Sequence, residues 1–477
     1  MQPKSIYERS MNVRMRRTTY GGAAFLPERG ATVELDEEAF TLLCWLALPL
    51  TTRQLRQRFI KRFARKVTLS EVDCTVNQLK DFGFVNPAQG GVGRQHAASL
   101  SEKAAEQAGA SDGKDSQEST YGRENALTAA PSSFVCHPSL SSTYFEPEAV
   151  PIAPESVHLQ LNNVCNLRCP SCYVGLQMVD HGSLPFERWI TLVDEMADMG
   201  VFQLALGGGE PLMSPHFVAI VQHSRRRGIL PNVTTNGHLL MEQLLTRIRG
   251  SIGEVRLSFN DGFSLNRRLL TENAALLKAC DVRFGFNVIV TRRNIGQLEE
   301  ILRELIALHP YSITLLRPKP APLNERWYSA NVLSPQDSKL LAEQLGRLEP
   351  LFADTLLTVD CAFSYLFYGL PAAELALRGV EGCAMGERFV VVAWNGDVYP
   401  CSHLRGTEYK IGNVKEQRFR DICETSYAFT RTQLEPRRAE GHCGSCIKRG
   451  SCGGCRAVMW HTTGNMRAAD TGCPFGA

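Results

Sequence analysis

Between residues 155 and 318 the apolar positions switch period in a regular alternation. Short runs of strand character, "VHLQLNN", "FQLALGG", "LPNVTTNG", "EVRLSFND", "VRFGFNVIVT" and "SITLLRP", alternate with stretches whose apolar residues recur every three or four positions, such as "PFERWITLVDEMADMG" and "NIGQLEEILRELIALHP". Six strand–helix repeats demand a parallel sheet. Six is also too few for the closed eightfold barrel, so the pattern predicts an α/β fold built on an open, partial (β/α)6 barrel. In such a barrel the chemistry sits in the loops at the C-terminal ends of the strands.

The flanking regions carry different patterns. Residues 1–88 begin with strands in "VRMRRTTYGGAAFLP" and "ATVEL", the first broken by a Gly-Gly turn. Three helical segments follow, "DEEAFTLLCWLALPL", "TTRQLRQRFIKRF" and "TLSEVDCTVNQLKDFGF", the last two with Thr or Ser placed as N-caps. That order predicts a small winged-helix-like α+β module. Residues 89–152 are rich in Ala, Gly, Ser and Gln and read as a flexible linker, able to let its ends sit on the order of 45 Å apart. Residues 153–318 form the barrel, and 319–477 a less regular C-terminal domain.

Composition narrows the function. The chain has 477 residues, 44% of them hydrophobic, and a net charge of +3. That charge is too weak to point to nucleic acid or an anionic membrane as the main partner. No apolar run resembles a signal peptide or a membrane span, so the protein is expected to be cytoplasmic. In a reducing compartment its sixteen cysteines argue for metal ligation or catalysis rather than disulfides. Cys44, Cys74, Cys136, Cys280 and Cys423 are scattered singly and are expected to be small buried apolar residues. The others are grouped.

The first group is Cys165, Cys169 and Cys172 in "NNVCNLRCPSCYV", just past the first barrel strand. A closed structural metal site takes four ligands, whereas three thiolates can hold three irons of a [4Fe–4S] cluster and leave the fourth open. Zinc with a distant fourth ligand is the alternative. CxxxCxxC at this strand end, with "LGGGEP" after the second strand, "TTNG" after the third and "LSFNDG" after the fourth, resembles the radical SAM superfamily. The resemblance implies that S-adenosylmethionine chelates the open iron and is cleaved reductively to a 5′-deoxyadenosyl radical that abstracts a substrate hydrogen. It places Gly208, Gly209, Glu210 and Pro211 at the methionyl amine and Asn236, Ser258 and Asp261 at the carboxylate or ribose. Asn287 falls in the adenosine region. Each of these last four also reads as a turn or capping residue. The sequence names no catalytic acid or base.

The second group, Cys383, Cys401, Cys443, Cys446, Cys452, Cys455 and Cys473, resembles the SPASM extension of that superfamily, which carries two auxiliary [4Fe–4S] clusters. The family pattern assigns Cys383, Cys401 and Cys455 to one cluster and Cys443, Cys446, Cys452 and Cys473 to the other. The first set lacks a ligand; Cys361 is the nearest spare thiol, and an open iron is the other possibility. Zinc ligation by the C-x₂-C pairs stays open as well. With that body behind it, the 1–88 module resembles the recognition element of enzymes that modify ribosomally made peptides, with Phe25, Leu35 or Phe40 lining a pocket or filling the module's own core. The resemblance implies a precursor peptide with a leader, read by strand addition, and a reducing donor such as flavodoxin or ferredoxin. The bond made is expected to be an oxidative crosslink or related C–H functionalisation. A maturase of a folded enzyme or peptide-derived cofactor is the runner-up. An iron–sulfur DNA-binding regulator is the reading from another class, resting on the basic run "RQLRQRFIKRFARK".

Overall fold

A computed structural model describes residues 6–10, 13–18, 21–26, 31–46, 49–63, 67–88, 153–174, 182–259, 267–352, 354–369, 382–433, 439–449 and 452–475. The predicted linker, Cys136 and Asp261 lie outside them. By contact the chain divides into two compact units: residues 1–13, 20–24 and 34–143, and residues 14–19, 25–33 and 144–477.

In the N-terminal region β1 (Ile6–Arg9) pairs antiparallel with both β5 (Leu50–Thr51) and β6 (Val85–Pro87). A second three-stranded sheet holds β2 (Arg14–Thr18), β3 (Gly21–Leu26) and β4 (Ala31–Asp36) in that order. The three expected helices follow as Glu37–Trp45, Thr52–Phe63 and Leu69–Asp81. The last begins at a capping box: Thr68 Oγ1 accepts from Glu71 N at 3.2 Å, and a Glu71 carboxylate oxygen accepts from Thr68 N at 2.7 Å. Leu42, Leu43, Leu55, Phe59, Val72, Val76 and Leu79 are buried. Cys44 and Cys74, expected inside, are exposed. Each sits on a helix whose apolar stripe is already carried by neighbours, Leu42 and Leu43 in one and Val72 and Val76 in the other. Cys280 and Cys423 are buried as expected.

The barrel strands are β7 (Ser156–Gln160), β8 (Gln203–Gly207), β9 (Leu230–Thr235), β10 (Val255–Phe259), β11 (Phe284–Ile289) and β12 (Ser312–Leu316). They pair in parallel in chain order. One side of each strand joins the core: Val157 and Leu159, Leu204 and Leu206, Phe286 and Val288, and Ile313 and Leu315 are buried against helix residues such as Trp189, Leu192 and Met196. Helix Phe186–Met199 stops at Gly200, whose φ of 84° is the left-handed cap that a side chain would disfavour.

The sheet continues beyond residue 318 on both edges. β13 (Leu356–Val359) pairs in parallel with β12, and β14 (Phe389–Val392) in parallel with β7. β15 (Asp397–Tyr399) and β16 (Gly412–Asn413) extend it antiparallel, giving ten strands. The C-terminal half therefore grows out of the barrel's own sheet. One rim carries the cysteine loop after β7, the glycine-rich loop after β8, the Thr-Asn-Gly turn after β9, Arg317-Pro318-Lys319 after β12 and Asp360-Cys361 after β13.

Candidate functional site

The cysteine loop is held to its neighbours mainly by backbone. Gly209 N donates to Asn162 O at 2.9 Å and Glu210 N to Val164 O at 2.7 Å, while Asn162 Nδ2 donates to Glu210 O at 2.9 Å. A Cβ on Gly208, whose φ is 124°, would meet Asn162 O at 2.5 Å, and one on Gly209 would collide with Val164 O. These glycines permit a close approach, and the backbone they approach is that of the cysteine loop itself. Burial pushes Cys169 up to about 11, and the charges of Cys172 and Cys165 act on it in the same direction. Cys165 is raised as well, by burial first. Metal loading must therefore release protons from thiols held above their ordinary range.

Glu210 is almost fully buried, and its carboxylate ties its own loop to the turn after β9. One oxygen accepts from Thr235 Oγ1 at 2.7 Å and Leu212 N at 3.1 Å; the other accepts from Asn236 N at 2.9 Å. Burial raises its pKa, and these donors oppose that. A carboxylate has about four acceptor positions, so one is left open. Glu210→Gln turns an amide NH₂ toward donors that need an acceptor. The expected loss is about 1–3 kcal/mol of stability, with S-adenosylmethionine binding weakened roughly tenfold, checked by thermal melting and equilibrium dialysis. Unchanged binding together with unchanged melting would show that the clamp is dispensable.

Asn236 is brought onto the cysteine loop, where its Nδ2 donates to Asn166 Oδ1 at 2.8 Å and lies 3.7 Å from Cys165 Sγ. Ser258 on β10 stands opposite Asn287 on β11 in register, so the two share a face of the sheet. Asn287 Nδ2 donates to Thr234 Oγ1 at 3.3 Å, and its buried Oδ1 has no protein partner. Gln160 and Asn163, buried beside this rim, leave both polar ends of their amides unpartnered. Sequence reasoning missed these two; polar residues closing an apolar strand at the C-terminal rim were the available signal.

The remaining cysteines form two gatherings. Cys443, Cys446, Cys452 and Cys473 line one cavity of about 230 Å³, together with Tyr368 and Phe475, whose rings stack at 4.3 Å. Elsewhere the Cys361 thiol hydrogen-bonds to Cys383, and its charge acts on Cys401 and Cys455. Cys361 thus sits with the three-cysteine set that lacked a ligand. Sulfur-only donor sets of this size fit iron–sulfur clusters. Among the described residues no three His, Cys, Asp or Glu side chains are arranged to hold a metal ion as they stand.

Between the first cysteine loop and Cys401 lies a set of rings. Tyr173 packs on His403 with centroids 4.3 Å apart, and the charges of both Cys172 and Cys401 act on the Tyr173 hydroxyl. Burial lifts Tyr173 to about 12 and lowers His158 to about 4, so both stay neutral. His158 Nδ1 lies 2.8 Å from Ser402 Oγ. Arg405, over the Trp394 ring at 4.8 Å, donates to the carbonyls of Tyr173 and Val174 and pins the end of the loop.

Residues 159–305 match the radical SAM superfamily, and residues 383–447 match SPASM, an iron-sulfur cluster-binding domain. The chain is 28% identical over 353 residues to the AdoMet-dependent heme synthase of Methanosarcina barkeri, covering 68% of this chain and 97% of that one. It is 27% identical over 341 residues to the mycofactocin maturase MftC of Mycobacterium tuberculosis, covering 68% and 84%. In fold it is similar to Streptococcus suis SuiB, solved bound to S-adenosylmethionine, with a TM-score of 0.64 at 16% identity over 98% of this chain and 99% of that one. A radical SAM domain works with S-adenosylmethionine and a [4Fe–4S] cluster, and a SPASM domain binds auxiliary iron–sulfur clusters. The chain is an enzyme that carries a radical SAM domain over residues 159–305 and a SPASM iron-sulfur cluster-binding domain over residues 383–447.

Proposed function

We propose that this enzyme modifies a ribosomally made precursor peptide, with residues 1–88 holding the peptide's leader and the barrel rim acting on its core. The observation that carries the reading is the reach of the SuiB likeness. It runs over 98% of the chain, and SuiB has also been solved bound to its precursor peptide SuiA. The heme synthase and the mycofactocin maturase account for only 68%. An N-terminal module serves a long, flexible substrate better than a small cofactor, because a second attachment raises the effective concentration of the first. Strand addition to a three-stranded sheet such as β2–β3–β4 is the mode of capture that fits. Phe25, Leu35 and Phe40 are buried, and Phe25 stacks on Phe202 at 5.3 Å within the larger unit, outside the module's own core.

In this reading Cys165, Cys169 and Cys172 hold the cluster that binds S-adenosylmethionine. Cys361, Cys383, Cys401 and Cys455 hold one auxiliary cluster, and Cys443, Cys446, Cys452 and Cys473 the other. When bound, the first cluster and S-adenosylmethionine supply a hydrogen-abstracting radical. The chain's own residues do the rest. Glu210 and Asn236 fix the cysteine loop against the two neighbouring strand ends. Gly208, Gly209 and Pro211 keep their proposed place at the methionyl amine, as do Ser258, Asp261 and Asn287 at the nucleoside. The neutral rings of Tyr173 and His403 exclude water between the loop and Cys401.

A cytoplasmic location and a flavodoxin- or ferredoxin-like donor complete the proposal. Among the described residues no helix is long and apolar enough to cross a membrane. The basic helix Thr52–Phe63 buries Leu55 and Phe59, and Arg56 Nε donates to Val67 O at 2.6 Å, so part of its charge is engaged within the module.

Co-expression with short peptides encoded nearby tests the function. The expected result is a peptide about 2 Da lighter per crosslink, with 5′-deoxyadenosine formed in step. A chain lacking residues 1–88 should still cleave S-adenosylmethionine but modify a dilute peptide roughly 100-fold more slowly. Equal rates for both chains would remove the leader-holding role.

A further inference from the structure

The face of the barrel sheet turned away from the helices is polar, and its side chains are largely spent on one another. Val157 and Leu159 of β7 join the helix-side core, so His158 and Gln160 take this inner face. β8 makes room there: a Cβ on Gly207, which stands opposite Gln160 in register, would fall 2.5 Å from His158 Nε2. Further along the same face Asn232 Nδ2 donates to Gln203 Oε1 at 3.0 Å and Asn287 Nδ2 to Thr234 Oγ1 at 3.3 Å. The Thr314 and Thr358 hydroxyls meet at 2.7 Å. Gln160 breaks the pattern. It is fully buried, yet neither its amide oxygen nor its amide nitrogen has a partner among the described residues. Asn163, three positions on and 1% exposed, leaves both ends unspent as well. Its neighbour Asn162 uses each of its own, on Glu210 O and Val164 N.

We propose that Gln160 and Asn163 bind the substrate by its backbone, each pairing its side-chain amide with a peptide group of the segment to be modified. This rests on reading the substrate as a peptide. A side-chain amide complements a peptide group because each offers N–H donors on one side and a carbonyl acceptor on the other. Both side chains are already stripped of water in the free chain. A ligand that meets them gains hydrogen bonds with no further desolvation cost on the protein's side. The adenine of S-adenosylmethionine presents a similar donor–acceptor edge, but position favours the peptide. The residues assigned to that cofactor lie after β8 and β9 and on β10 and β11, all to one side of β7. On its other side β7 pairs with β14, and His158 Nδ1 lies 2.8 Å from Ser402 Oγ, next to Cys401. β7 thus carries its inner residues between the cofactor's strand ends and the segment that bears an auxiliary-site thiol.

The test uses the reconstituted full-length enzyme and a peptide that it modifies. Gln160→Met keeps the length of the side chain and removes both polar ends. Its KM for the peptide is expected to rise about tenfold, while the S-adenosylmethionine dissociation constant, read by equilibrium dialysis, stays within about twofold. Without ligands it should melt about 2 °C later than the parent protein, because an unbonded buried amide has been removed. Asn163→Leu should move all three readings the same way. Peptides with a single backbone ester in place of an amide then locate the contact. One ester position should raise KM about tenfold with the parent enzyme and have no effect on the variant that lacks the matching side chain. Early melting with an unchanged KM would show that these amides serve the fold. A weaker grip on S-adenosylmethionine with an unchanged KM would give them to the cofactor. Ester effects equal in parent and variants would show that no peptide group is held there. Each of the three overturns the proposal. A parent enzyme that modifies no peptide at all is a separate result, the failure of the peptide reading itself, and this proposal falls with it.

Discussion

Replacing Cys165, Cys169 and Cys172 together by alanine is expected to remove about four of roughly twelve iron atoms per chain and to abolish formation of 5′-deoxyadenosine. The chain should otherwise remain folded. The three thiols lie on a loop whose position is set by other atoms: Gly209 N and Glu210 N on the loop carbonyls, Asn162 Nδ2 on Glu210 O, and Asn236 Nδ2 on Asn166. None of those bonds uses sulfur; the variant loses only the contacts of Leu167 N, at 3.4 Å, and Asn236 Nδ2, at 3.7 Å, to Cys165 Sγ. The other eight grouped cysteines belong to elements after β12, and their gathering at the Cys361 and Cys443 sites does not pass through this loop. Iron analysis, EPR and product chromatography on one preparation check the claim. Retention of twelve irons, or of any turnover above background, would sink the assignment of these thiols to the S-adenosylmethionine site. Zinc in place of iron in the parent protein would do the same.

The barrel was legible because its strands are apolar runs buried on one face and its helices keep an amphipathic period. Both are local properties. Trp189, Leu192 and Met196, for example, fall on one side of a single helix. The strands that escaped notice are short or sit inside other signals. β14, "FVVV", lies between Cys383 and Cys401 and reads as a spacer, although it pairs with β7 from Phe389↔Ser156 to Val392↔Leu159. β1 and β6 find each other across most of the N-terminal module, which no local pattern announces. The cysteine motifs were legible as spacing. Cys361 could be named only as the nearest spare thiol, and the pairs beside it lie where spacing cannot reach: Lys319 with Asp360, and Arg317 with Asp470, whose members are 153 positions apart. Gly208 and Gly209 are the reverse case, where the residue type was read correctly and the surface it approaches became visible only in the fold.

Asp470→Ala is expected to destabilise the larger unit by about 3–5 kcal/mol and to lower the iron content of both auxiliary sites. Arg317 and Asp470 are 2% and 1% exposed, joined by two hydrogen bonds of 2.8 and 2.7 Å. Burial alone would raise the Asp470 carboxyl, but the Arg317 charge and hydrogen bonds bring it below the ordinary range. Its contribution is therefore present above the unfolded value near 3.9 and fades as pH falls through the lower folded value. Removing the carboxylate strands a guanidinium in the interior, and Ala362 O, its other partner, cannot neutralise it. It also strips the acceptor from Cys455 N at 2.8 Å and Gly472 N at 3.0 Å. The Asp470 backbone N donates to Cys443 Sγ at 3.3 Å, so one residue touches a member of each cysteine set. Arg317→Met with Asp470→Leu removes both charges at once and should recover much of the stability, because two apolar side chains carry no unpaired buried charge. It should not recover the iron, since the Cys455 N–H still lacks its acceptor. Denaturation midpoints with iron counts on both variants separate the two effects. If the double variant melts as early as Asp470→Ala, the loss comes from packing around residue 470 and the ion pair is not its source.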